Sequence, residues 1–116
     1  MYTLYGIPNC DSVKKARVWL DKHNIPYTFH DYKQSGITKA KLNSWSKQLG
    51  WENVFNKNST TFKELPDAER NAVTSQAAAV DLMVQHNSII KRPLIEKDDK
   101  VVAVRFNETV YEQTFL

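Results

Sequence analysis

The first third of the chain switches between the hydrophobic spacing of strands and that of helices. Residues 2–5 are aromatic, β-branched or aliphatic and predict a short strand, which Gly6 and Pro8 interrupt. Apolar residues then recur at helical spacing, with one face formed by Val13, Ala16 and Leu20. Residues 27–32 alternate again and predict a second strand. Because strand, helix and strand follow one another, we expect a βαβ unit with parallel strands.

Roughly from residue 37 to residue 87 the pattern is mainly helical. Thr38 is predicted to cap a helix that stops at Gly50, and its apolar stripe is Leu42, Trp45 and Leu49. Ser75 is predicted to cap a further helix over residues 76–85, with a buried face of Val80, Met83 and Val84. Residues 61–65 predict a short helical turn. This stretch is therefore expected to be a helical insertion.

Strand character returns near the end of the chain. Residues 88–96 run into strand residues, residues 98–100 predict a turn, and residues 101–104 predict a partner strand, so that a hairpin is expected. Asn107 is predicted to cap a last helix that runs through Phe115. The order β-α-β, helical insertion, β-β-α predicts an α/β protein, with residues 1–116 forming a single domain.

Composition and charge exclude several classes of protein. The chain has 116 residues, 41% hydrophobic and 25% charged, which is typical of a soluble globular domain. The formal net charge of +3 comes from scattered Lys and Arg, so no nucleic-acid partner is expected. No apolar run approaches the roughly 20 residues that span a bilayer, and a signal peptide is lacking. A single cysteine and no zinc-ligand spacing predict a cytoplasmic protein without a metal. We expect a monomer.

The single cysteine, Cys10, falls where the first strand hands over to the first helix. A lone cysteine is commonly a small buried hydrophobe, chosen for packing. A strand–turn–helix junction is a poor place to bury a side chain, however, and the free N–H groups of a helix N-terminus favour thiolate over thiol. The position therefore favours a reactive cysteine.

Three short segments together carry a family resemblance. They are Tyr5-x-x-Pro8-x-Cys10, the stretch from Ile90 to Pro93, and the stretch from Val104 to Phe106. In this order and spacing the chain resembles the arsenate reductase/Spx (ArsC) family, and within it the YffB-like branch of small bacterial proteins. The resemblance implies a thioredoxin-like fold, βαβ…ββα, with a helical insertion between the two halves.

The resemblance also implies roles for individual residues. Cys10 matches the family's nucleophile, and Arg92 and Arg105 match two of the three arginines that bind the oxyanion in its arsenate reductases. Asn56 stands in place of the third arginine, with Lys57 beside it, and either residue is left open as its substitute. A binding site that loses one of three guanidinium forks is weakened for arsenate. The Arg92–Pro93 bond is implied to be cis and to face Cys10.

The chain has no second cysteine that could resolve a mixed disulfide. The segment after the nucleophile is Cys10-Asp11-Ser12-Val13 instead of Cys-x-x-Cys, and Asn9 and Ser12 are expected to support the site. Turnover then needs an external thiol, for which glutathione is the expected co-substrate, with glutaredoxin as a possible partner and no bound cofactor. The resulting hypothesis is a glutathione-dependent thiol oxidoreductase.

Two alternatives come from the same family. Spx-type regulators share the fold and act by contacting RNA polymerase, which would make the chain a protein-binding regulatory module. A glutathione- or glutaredoxin-coupled arsenate reductase is the other alternative, and Asn56 weakens it.

Overall fold

The computed structural model describes all 116 residues, which form two compact units. One unit combines residues 1–35 with residues 92–116, and the other consists of residues 36–91. The insertion expected over residues 37–87 lies within the second unit. The expectation of a single domain stays a prediction.

The elements follow one another in the predicted order of strands and helices. They are β1 (Tyr2–Gly6), α1 (Asp11–Lys22), β2 (Tyr27–Asp31), α2 (Tyr32–Ser35), α3 (Lys39–Leu49), α4 (Trp51–Val54), α5 (Thr60–Lys63), α6 (Asp67–Asn71), α7 (Gln76–Gln85), a 3₁₀ turn (Asn87–Ile89), β3 (Leu94–Lys97), β4 (Lys100–Val104) and α8 (Glu108–Phe115).

The first unit is a four-stranded sheet with the strand order β2-β1-β3-β4. Strand β1 pairs parallel to β2 and antiparallel to β3, and β3 and β4 form the predicted hairpin. Its turn residues, Asp98 and Asp99, have φ of 52° and 64°, which matches the twist of a two-residue hairpin. The sheet confirms the predicted βαβ…ββα arrangement of a thioredoxin-like fold.

The core of the first unit joins the sheet to α1 and α8. Leu4 and Ile95 are neighbours in the sheet and meet the predicted apolar face of α1. The buried members of this cluster are Leu4, Val13, Ala16, Trp19, Leu20, Ile95, Ala103 and Tyr111. Burial of this stripe fixes the position of α1, and with it the position of the residue at its start.

Local capping chemistry decides where three helices begin, as predicted. The hydroxyl of Thr38 accepts a hydrogen bond from the Lys41 N–H at 3.1 Å. Ser75 accepts from the Ala78 N–H at 3.3 Å, and Asn107 accepts from the Val110 N–H at 3.1 Å. Each cap satisfies an N–H that the helix itself leaves without a partner.

The structure corrects the sequence prediction in several places. Gly50, with φ of +86°, interrupts the helix for one residue only, and the chain is helical again from Trp51. Helix α6 was not predicted, and residues 87–89 form a 3₁₀ turn, so that β3 begins only at Leu94. Val84 is 40% exposed, because the buried stripe of α7 runs through Ala79, Val80 and Met83 and leaves it at the edge.

Candidate functional site

Cys10 is the N-cap residue of α1. Its backbone is extended, with φ of −112° and ψ of 127°, and its carbonyl accepts the Lys14 N–H at 2.9 Å. The thiol is free, partly exposed, and packed against the rim of the core cluster. The Cys10 side chain forms no capping hydrogen bond, and the residue stands at the positive end of a 12-residue helix. The predicted placement of Cys10 is confirmed.

Gly6 sets how closely β1 approaches α1 just before Cys10. A Cβ atom at Gly6 would lie 2.8 Å from Cγ2 of Val13 and 3.3 Å from Cγ1 of the same side chain. Because Val13 is fully buried, it has little room to move away. The missing side chain at residue 6 therefore lets the turn that carries Cys10 lie tightly against the sheet.

The backbones of Arg92 and Arg105 meet around Pro93. The Arg92–Pro93 peptide bond is cis, as the resemblance implied, and its orientation toward Cys10 stays a prediction. The Arg105 N–H donates to the Pro93 carbonyl at 2.7 Å, and Arg105 has a φ of +62° at the end of β4. Arg92 is partly buried and Arg105 is exposed. Two guanidinium-bearing residues thus flank Pro93, one on each side of the hairpin.

Tyr32 interacts with both Arg92 and Cys10, although its role could not be predicted from the sequence. Its side chain is fully buried, its hydroxyl is hydrogen-bonded with the Arg92 side chain, and Cys10 lies within electrostatic range. Burial raises the pKa of Tyr32 to about 12, against the opposing effect of the Arg92 guanidinium. The phenol is therefore neutral near pH 7, and it accepts from Arg92 because a guanidinium only donates.

Tyr32 lies at the start of α2, which the sequence analysis did not predict because it extended β2 through this residue. Tyr32 was predicted as the last residue of β2 but is the first residue of α2. The signal was present in Asp31, whose Oδ1 accepts the N–H groups of Lys33 at 3.0 Å and Gln34 at 3.3 Å. Asp followed by a short polar segment is a helix-capping pattern.

Asn56 and Lys57 lie in the second unit, and the contacts described below join them to other residues of that unit. The Asn56 N–H donates to the Ile89 carbonyl at 2.8 Å, and its Oδ1 accepts the Asn58 N–H at 3.1 Å. The Lys57 ammonium lies 6.0 Å from the centre of the Trp51 ring. The side-chain oxygen of Asn56 thus holds its own turn, and its anion-binding role stays a prediction.

The remaining predicted residues surround Cys10 in the chain. Asn9 is exposed in the turn before α1, and Ser12 is a partly buried residue in its first turn. Their supporting roles stay predictions.

Nowhere in the chain do three or more His, Cys, Asp or Glu side chains gather into a group that could hold a metal ion. None of the helices has the length and apolar character needed to cross a membrane. Around Cys10 the structure places a thiol, the neutral phenol of Tyr32 and the Arg92 guanidinium bonded to it, groups that could serve attack on a disulfide attached to an anionic group.

Known proteins are similar to this chain in sequence over nearly its whole length. The ArsC family profile matches residues 5–114. An uncharacterised protein of Haemophilus influenzae is 39% identical over 115 residues, which cover 99% of both chains. The global transcriptional regulator Spx of Streptococcus pneumoniae is 32% identical over 111 residues, which cover 93% of this chain and 80% of Spx.

Solved structures agree with these sequence matches. The YFFB protein superposes with a TM-score of 0.94 at 41% identity and covers all of both chains. A protein related to arsenate reductase (ArsC) from Brucella melitensis is 45% identical, with a TM-score of 0.77 over 98% of this chain and 93% of that one.

Proposed function

Because this chain belongs to the ArsC family, whose profile matches nearly its whole length, we propose that it is a glutathione-dependent thiol oxidoreductase. The close match to the YFFB structure confirms the expected branch of the family. The observation that carries the proposal is the placement of Cys10 at the start of α1, partly exposed and next to the Tyr32–Arg92 pair. In this proposal Cys10 is the single nucleophile.

The proposed reaction consists of two thiol–disulfide exchanges. The Cys10 thiolate attacks the glutathione sulfur of a mixed disulfide R–S–S–G, which forms Cys10–S–S–G and releases the thiolate R–S⁻. The thiolate of a second glutathione then attacks the bound glutathione sulfur, which forms oxidised glutathione and regenerates the Cys10 thiolate. In sum, one glutathione thiol is consumed, R–S–S–G gives R–SH and oxidised glutathione, and no second cysteine is needed.

Arg92 and Arg105 are proposed to hold the carboxylates of glutathione. Guanidinium groups bind carboxylates through paired, charge-assisted hydrogen bonds, which a lysine cannot reproduce. Tyr32 is a positioning residue in this proposal, since its hydroxyl is hydrogen-bonded with Arg92 inside the protein. Asn56, which provides no guanidinium, favours a glutathione substrate over arsenate.

A coupled assay tests the proposed reaction. The substrate is the mixed disulfide of glutathione with 2-mercaptoethanol, and glutathione reductase with NADPH reports each oxidised glutathione formed. We expect turnover above the uncatalysed exchange that depends on both Cys10 and added glutathione. A rate equal to the uncatalysed exchange at every protein concentration contradicts the proposal.

A second candidate function is a protein-binding regulatory module. The match to Spx over 93% of this chain favours it. RNA polymerase captured equally by the wild-type protein and by Cys10→Ser, together with no glutathione-linked turnover, would support this candidate over the reductase.

A further inference from the structure

The outer side of α1 carries an apolar groove of about 350 Å³ that the reaction above does not use. Its floor consists of Val18 and Trp19 from α1 and Phe106 from the connection between β4 and α8. Val18 is 65% exposed, although it is a β-branched residue in the middle of a helix, where such residues are mildly unfavourable. We call this feature the α1 groove.

Lysine side chains make the rim of the α1 groove positively charged. Lys14, Lys15 and Lys22 line it and are exposed, and none of them forms an ion pair. The acid at the groove is Glu108, which lies in the first turn of α8, where its charge suits the helix dipole. Three unpaired ammonium groups around an apolar floor are complementary to a segment that is both acidic and apolar.

The α1 groove also continues from the candidate site. It begins at Lys14, whose N–H donates to the Cys10 carbonyl, and Phe106 in its floor directly follows Arg105. From Cys10 to Lys22 the helix rises about 18 Å, which is the length of about five or six residues of extended chain. A polypeptide joined to a sulfur at Cys10 can therefore lie along the groove.

We infer that the α1 groove binds a segment of a protein thiol partner. This segment lies next to the partner's reacting cysteine and carries acidic residues together with apolar anchors. In the reaction above this partner is R, released as its thiolate while the glutathione half stays on Cys10. The inference rests on the proposed function for this reaction, and it names a protein as the substrate. Val18, Trp19 and Phe106 receive the apolar side chains, and the lysines receive the acids.

Direct binding of a peptide that cannot react tests the groove independently of catalysis. The probe is a fluorescein-labelled peptide of about ten residues, enough to span the groove, with a leucine pair among glutamates and a serine in the cysteine position. One control peptide has lysines in place of the glutamates, and another has serines in place of the leucines. We expect the acidic, apolar peptide to bind at least about tenfold more tightly than either control by fluorescence anisotropy.

Matched charge reversals locate the binding surface. We expect Lys15→Glu combined with Lys22→Glu to weaken binding of the probe about tenfold. Reversal of two exposed lysines outside the groove, Lys47→Glu with Lys63→Glu, makes the same change in net charge and should leave binding within about twofold. Circular dichroism verifies that both proteins fold, and Val18→Thr supplies an uncharged variant that should weaken binding severalfold.

Three results would overturn the inference. They are equal affinity for the acidic and basic peptides, equal loss of binding in the two charge-reversal variants, and displacement of the probe by a single-stranded oligonucleotide as effectively as by unlabelled peptide. Turnover of the small mixed disulfide by the wild-type protein is measured separately. Turnover without selective peptide binding therefore refutes only the inference that the groove binds an acidic, apolar segment. Selective peptide binding without turnover refutes only the proposed reaction.

Discussion

Two buried tyrosines in the sheet-containing unit lie next to charged side chains, but in different surroundings. Tyr5 donates from its hydroxyl to Oε1 of Glu96 at 2.6 Å, and both residues are more than nine-tenths buried. Tyr32 is as deeply buried, and its hydroxyl is hydrogen-bonded with Arg92 close to the partly exposed Cys10. The Tyr5–Glu96 pair is enclosed in the protein, whereas the Tyr32–Arg92 pair interacts electrostatically with Cys10.

Under the proposed function, the difference separates a structural polar pair from one that serves the reaction. A buried carboxylate needs hydrogen-bond donors, and the Tyr5 hydroxyl supplies one to Glu96. Its ring also packs on His30, with centroids 4.9 Å apart, so this histidine belongs to the packing around Tyr5. Arg92 keeps part of its surface exposed, and its partner Tyr32 interacts electrostatically with Cys10. Burial alone therefore does not distinguish the two pairs, whereas the electrostatic interaction of Tyr32 with Cys10 does.

The largest effect should follow from Cys10→Ser. A serine hydroxyl is a far weaker nucleophile than a thiolate near pH 7 and forms no disulfide, so turnover in the coupled assay should fall to the uncatalysed rate. The melting temperature should change little, because the side chain is only partly buried. Residual turnover in this variant would require a nucleophile other than Cys10.

The next largest effect should follow from Arg92→Ala. Loss of charge-assisted hydrogen bonds to a glutathione carboxylate should reduce kcat/KM by about 10- to 100-fold. Arg92→Lys should recover part of the loss, since it restores the charge without the paired geometry. Arg70→Ala is the matched control, because Arg70 pairs with Asp67 in the second unit. Equal rates in the Arg92 and Arg70 variants would remove Arg92 from the site.

The two tyrosines should give opposite results when each loses its hydroxyl. Tyr32→Phe should lower kcat/KM by about three- to tenfold, because Arg92 loses an acceptor that helps to orient it. Tyr5→Phe should lower the free energy of unfolding by about 1–3 kcal/mol, because Glu96 loses a buried donor, without a comparable loss of rate. Coupled assays and urea denaturation measure the two quantities. Similar kcat/KM values in Tyr32→Phe and Tyr5→Phe would show that Tyr32 matters no more for the reaction than Tyr5 does.

The smallest effect is a pH dependence of stability. The pKa of Tyr32 is raised from 10.0 to about 12 in the folded protein, so the neutral phenol stabilises the fold fully below pH 10. That stability is lost as the pH rises from 10 to 12, by about 1 kcal/mol between pH 10 and 11. The free energy of unfolding should therefore fall less steeply in Tyr32→Phe than in the wild-type protein. Parallel pH profiles would show that Tyr32 titrates normally.

Features set by short-range chemistry could be predicted from the sequence. The hydroxyl and amide caps of Thr38, Ser75 and Asn107 act within three residues, and the apolar face of α1 follows from helical spacing alone. The position of Cys10 follows from the same features, because it directly precedes this helix. The cis bond before Pro93 came from the resemblance to a family and not from the spacing of residues.

Features that depend on tertiary contact could not be predicted in this way. Tyr32 is 60 positions from Arg92 in the chain, and only the folded sheet brings their side chains together. The exposure of Val84 depends on which stripe of α7 faces α3, a choice that an apolar run of residues leaves open. The α1 groove likewise needs Phe106 to lie beside a helix that ends more than eighty residues earlier.

The most direct test of the central claim is the mass of the intact protein after incubation with oxidised glutathione. We expect one glutathione to be added at Cys10 in the native protein, and we expect added reduced glutathione to remove it. A native protein that gains no glutathione, while the same cysteine reacts readily once the chain is unfolded in urea, would contradict the account.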